Sequence, residues 1–115
     1  MTEIKFQVGG DLAGDLTAFA RAWDRAAAGD LRAERVLSFE SWEGMASVLT
    51  GERYRLLRHL HAHPQASVNA LARALQRQYR RVHEDVTILE RAGLIDRSHG
   101  GVRTAVDRLS AEVVL

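Results

Sequence analysis

SVNALARALQRQYRRVHEDVTILERAGL, residues 67–94, is the stretch whose reading decides the fold. Ser67 is an N-cap type residue placed directly before an apolar-periodic run. Val68, Leu71, Ala72 and Leu75 recur at helical spacing, so one face of a two-turn helix is apolar. The period breaks at Gln76-Arg77. It restarts at Tyr79 and continues through Val82, Val86 and Leu89, and Gly93 follows as a C′ residue. At about 100° per residue, Arg80, Glu84, Thr87 and Arg91 lie opposite this second apolar arc. Arg77, Arg81 and Ile88 lie on its flank.

Two short amphipathic helices, the second with arginines facing outward, are the sequence form of a helix-turn-helix. The first turns of a recognition helix enter the major groove. Arg there can donate two hydrogen bonds to guanine, and Gln pairs with adenine in the same bidentate way. A plainer reading uses the same residues: Arg80–Glu84 and Arg81–Asp85 are i,i+4 pairs that would simply solvate the helix. The residues that follow favour DNA. Leu94–Ser98 reads as a strand, His99-Gly100-Gly101 as a turn and Val102–Val106 as the returning strand. A hairpin in this position is a wing, with Arg97, Arg103 and Arg108 on or beside it, where a phosphate backbone would run.

The segment ALARALQRQYRRVHEDVTILERAGLI, residues 70–95, resembles the middle of a winged helix-turn-helix regulator of the broad MarR/ArsR-like group. VLSFESWEGMASVLTGERYRLLRHL (residues 36–60), Tyr-x-x-Val-His-x-Asp-Val (Tyr79–Val86) and Leu-x-x-x-Gly-Leu-Ile (Leu89–Ile95) are similar to a set of small prokaryotic transcriptional regulators. Some of that set act as antitoxins or operon autoregulators. The resemblance covers residues 35–115. It implies an α+β, mostly α, winged helix-turn-helix fold and a sequence-specific regulator of transcription, a repressor or autoregulator, bound to double-stranded DNA as a homodimer. One departure is that the turn often carries Gly, and Gln76 takes that place. The candidate DNA contacts are Ser67, Arg77, Gln78, Tyr79, Arg80, Arg81, His83, Glu84, Thr87, Arg97 and Arg103. Tyr79 is read as core or core edge with its hydroxyl free for a phosphate, and His83 as a phosphate contact or the partner of a nearby carboxylate. The competing expectation is a winged-helix interaction module, such as an antitoxin that binds and neutralises a toxin-like protein.

Composition fits this class. The 115 residues are enough for one domain or a domain with an extension. There is no Cys, hence no disulfide or thiolate metal site, which suits a reducing cytoplasm. No run reaches the length of a membrane span, and the first ten residues lack a signal-peptide core. A cytoplasmic location without membrane partners is the expectation. The net charge of +1 is unevenly spread: residues 1–49 carry five basic and eight acidic residues, and the remainder eleven and seven. An acidic half joined to a basic half fits a DNA-binding module with a separate interaction segment. No nucleophile elbow, phosphate-binding Gly loop or HExxH motif occurs, so neither enzyme activity nor a cofactor is expected.

Ahead of the decisive stretch, Ile4–Val8 alternates as a strand and Arg35–Phe39 reads as another. Between them Leu12, Leu16, Phe19 and Trp23 line one helix face, too apolar to leave wet, and are assigned to a dimer or partner contact. Residues 1–40 are thus expected to form a strand–helix–strand extension and residues 41–115 the winged helix-turn-helix domain. Ser41 and Thr50 begin two further helices, Pro64 ends the second, and Ala111–Leu115 is a candidate last strand. His59, His61 and His63 near that helix end suit its negative dipole; only His59 and His63 share a face, so a metal site is not expected.

Overall fold

The computed structural model describes residues 3–9 and 34–115. Among them the chain is α+β and mostly helical. Its elements are β1 Glu3–Val8, β2 Glu34–Phe39, α1 Trp42–Val48, α2 Gly51–Ala62, α3 Val68–Leu75, α4 Tyr79–Arg91, β3 Ile95–Asp96, β4 Arg103–Thr104 and β5 Arg108–Val113. They fall into two units, Met1–Met45 with Arg108–Leu115, and Ala46–Asp107. The expected boundary at residue 40 did not assign the last eight residues to the first unit. The stripe Leu12, Leu16, Phe19 and Trp23 lies outside the described residues.

The first unit holds a three-stranded sheet of order β2-β1-β5, parallel throughout, with Ile4 opposite Arg35 and Leu109. The alternation read in β1 appears as burial: Ile4, Phe6 and Val8 are buried while Glu3, Lys5 and Gln7 are partly exposed. Phe39 meets Phe6 edge to face at 5.6 Å between ring centroids. The last strand begins three residues earlier than Ala111. It is fixed by pairing with β1, far away in sequence, that local alternation does not display.

The second unit packs α2, α3, α4 and a short hairpin around one core. Leu56 and Leu60 of α2, Leu71 of α3, Val82, Val86 and Leu89 of α4, and Leu94 are fully enclosed. Each such side chain stabilises the fold by roughly 1.5–3 kcal/mol relative to exposure. The caps follow the sequence reading. Thr50 Oγ1 accepts from the Arg53 amide and Ser67 Oγ from the Ala70 amide, 3.2 and 3.0 Å. After α4, Gly93 N–H donates to Glu90 O and Leu94 N–H to Leu89 O, with Gly93 at φ +82°. This is a Schellman end closed by apolar contact.

The end of α3 repeats that pattern on a residue poorly suited to it. Gln76 N–H donates to Arg73 O and Arg77 N–H to Ala72 O, while Gln76 sits at φ 54°, ψ 45°. A left-handed non-glycine residue costs roughly 1–2 kcal/mol, and the surrounding core offsets it. The departure noted at this turn therefore changes its cost and leaves a three-residue connection, Gln76 to Gln78, between α3 and α4.

The hairpin is shorter than expected. Only Ile95–Asp96 and Arg103–Thr104 pair as strands, antiparallel with Ile95 opposite Thr104. Val102 instead bridges to Gln65, with mutual backbone bonds of 2.8 and 3.0 Å. Gly101 is needed there because a Cβ would stand 2.8 Å from the Gln65 carbonyl oxygen. Among the described residues no helix is long and apolar enough to cross a membrane.

Candidate nucleic-acid interface

The candidate residues gather on α4, the turn before it and the hairpin after it. Gln78, Tyr79, Arg80, Arg81, His83 and Glu84 are all exposed on or just before the first two turns of α4. Gln78 is the N-cap residue, and its side chain makes no capping bond. The opening amide groups of α4 thus lack a side-chain acceptor at the positive end of the helix dipole. The Arg80 and Arg81 guanidinium groups make no hydrogen bond or ion pair among the described residues.

That freedom has a cause. Among the described residues neither i,i+4 pair forms, and Arg81–Asp85 fails because Asp85 faces inward and is 8% exposed. Its Oδ1 accepts from Arg53 Nε at 3.0 Å and its Oδ2 from Arg77 Nη2 at 2.9 Å. Arg77 Nη2 also meets Glu52 at 2.8 Å, and Arg53 Nη1 donates to the Ser47 and Val48 carbonyls at 2.6 and 3.0 Å. One carboxylate on α4 therefore ties that helix to α2 and to the turn. Arg77, a candidate DNA contact, has its charge engaged inside the protein.

Several other expectations change in the same way. Tyr79 lies outside the core, half exposed, with its ring 5.8 Å from that of His83. The Ser67 hydroxyl is occupied as a helix cap. Thr87 is partly buried and donates to the His83 carbonyl one turn back. Arg97 on the hairpin is exposed. Arg103 is exposed too, but Asp96 Oδ2 accepts from its Nε and Nη2 at 3.1 and 2.9 Å. Arg73, on the exposed side of α3, was not singled out by the sequence; its position opposite Val68, Leu71 and Ala72 was the available signal. The His59 and His63 rings lie 5.2 Å apart, tilted by 44°, and His61 instead turns to Asp107 at 3.2 Å.

Asp96 is the hub of the hairpin. The Ser98 hydroxyl and amide, and then Arg103, hold its carboxyl well below the usual carboxylate range. A lowered folded-state pKa stabilises the hairpin above the ordinary value of 3.8, and that contribution is lost as pH falls below it. In an NMR titration the Ser98 amide of the wild type should keep its low-field position past pH 3.8. Asp96→Asn should remove the titration altogether. A wild-type midpoint at the ordinary carboxylate value would show that these bonds do not persist in solution.

The described residues thus define a small α+β protein with a helix that exposes two arginines in its first turn and is held from behind by a buried carboxylate. Residues 48–111, more than half of the chain, match the HVO_A0114 family, and the chain belongs to that family. No curated protein and no solved structure matches it.

Proposed function

We propose that this chain is a winged helix-turn-helix protein that binds double-stranded DNA with sequence preference and regulates transcription, as a repressor or operon autoregulator. In this reading α3 and α4 are the helix-turn-helix, α4 enters the major groove, and the β3–β4 hairpin is the wing. The observation that carries it is the pair Arg80 and Arg81. Both are exposed and, among the described residues, unpaired in the first turn of α4, beside a helix N-terminus without a side-chain cap. Their guanidinium groups suit guanine edges and phosphates, and the free amides suit a phosphate. The unit Ala46–Asp107 holds ten arginines against six acidic residues, and three of those acids are engaged by Arg53, Arg77 and Arg103.

A mobility-shift titration against fragments upstream of its own coding sequence tests the reading. Binding should favour one fragment over random duplex. Affinity should fall steeply with salt, because each neutralised phosphate releases a counterion, with a slope near −0.9 per contact. Absence of binding at low salt would refute it.

A further inference from the structure

β5 closes one side of the sheet β2-β1-β5, and among the described residues no strand lies beyond it. Its pairing with β1 runs unbroken from Arg108 to Val113. Just past that strand the Val114 amide donates to the Val8 carbonyl at 2.9 Å. Along a strand the backbone groups of successive residues turn to opposite sides. Residues 108, 110 and 112 therefore bond β1, and Leu109, Ala111 and Val113 turn their N–H and C=O groups outward. A six-residue edge with no Pro, Lys or break in register is a template for another strand.

The charges select which strand. In an antiparallel pairing across a two-fold axis at Ser110, Leu109 lies opposite the partner's Ala111, so that the outward N–H and C=O groups are exchanged. Arg108 lies opposite the partner's Glu112, and symmetry makes this contact twice. Both charged residues are exposed on one sheet face, where Lys5 Nζ also meets Glu112. Opposite charges directly across an antiparallel pair attract, and like charges repel.

We propose that two copies of this chain join through β5, antiparallel and centred on Ser110, into one continuous six-stranded sheet. The pairing is independent of DNA binding, and its test reads mass alone. Sedimentation of the full chain should give a dimer. Ala111→Pro removes an outward N–H and no bond to β1; it should keep the circular dichroism of the wild type and lose the dimer. Arg108→Glu and Glu112→Arg each place like charges at both contacts, and each alone should raise the dimer Kd by about tenfold or more. Mixed one to one, these two variants restore opposite charges at both contacts and should form a heterodimer. A monomeric wild type, a folded Ala111→Pro variant that stays dimeric, or a mixture no more associated than its components would overturn the proposal. If Ala111→Pro does not fold, the mixing result decides.

Discussion

Asp85→Ala should lower the unfolding free energy by about 3 kcal/mol, the largest effect expected from any single polar substitution among the described residues. The carboxylate accepts from two arginines at 3.0 and 2.9 Å, and the side chains of Arg53, Asp85 and Arg77 are only 15%, 12% and 22% exposed. Removing the anion leaves two guanidinium groups facing one vacated site with little water to replace it. Breaking a buried pair from one side costs about 3–5 kcal/mol, and the residual exposure here favours the lower end. Replacing all three charges, as Asp85→Leu with Arg53→Met and Arg77→Met, should recover much of the loss, because no charge is then left without a partner. Urea unfolding followed by circular dichroism reads both variants. A loss under about 1 kcal/mol for Asp85→Ala, the range of an exposed ion pair, would mean that the network is solvated.

Arg80→Ala should weaken binding to the preferred duplex by on the order of 1–3 kcal/mol and narrow the gap to random DNA. The expectation rests on the proposed function and on the absence of a partner for this side chain among the described residues. Arg81→Ala should act in the same direction, since both residues lie in the first turn of α4 and are exposed. Arg97→Ala on the hairpin should weaken every sequence alike and reduce the salt slope by about one. Arg103 is a poorer probe of phosphate contact, because Asp96 already engages it and its removal loosens the hairpin. Fluorescence anisotropy with a specific and a random duplex, at two salt concentrations, separates these outcomes. Equal losses on both duplexes for Arg80→Ala and Arg81→Ala would mean that neither arginine reads bases. Specificity would then have to come from Gln78, Glu84, Thr87 or DNA shape.

Under the proposed function, these two residue sets should allow stability and DNA binding to be altered separately. Arg53, Arg77 and Asp85 face inward and fix the angle of α4. Arg80 and Arg81 face outward on the same helix and contribute nothing to the core. Asp85→Ala is therefore expected to affect DNA binding only through the position of α4, and Arg80→Ala to leave the unfolding midpoint nearly unchanged.

Local rules determined much of this protein from its sequence alone. Helix ends at Thr50, Ser67 and Gly93 were legible because capping is a contact between residues two to five apart. The buried faces of α3 and α4 were legible because 3.6-residue periodicity needs no knowledge of the partner surface. The strand at Ile4–Val8 was legible in the same way, from alternation. Tertiary structure decided what depends on residues far apart. Asp85 and Arg81 have ordinary i,i+4 spacing, and only the approach of Arg53, 32 positions away, together with Arg77 holds the carboxylate inward and leaves Arg81 unpaired among the described residues. Asp85 lies within the arc of Val82, Val86 and Leu89, but an acid in an apolar arc does not itself say which cation will meet it. Tyr79 shares the period of that arc yet lies at the helix start, where it is half exposed among the described residues. The C-terminal strand joins β1 across more than one hundred residues, and its parallel register follows from strand pairing that no local pattern encodes.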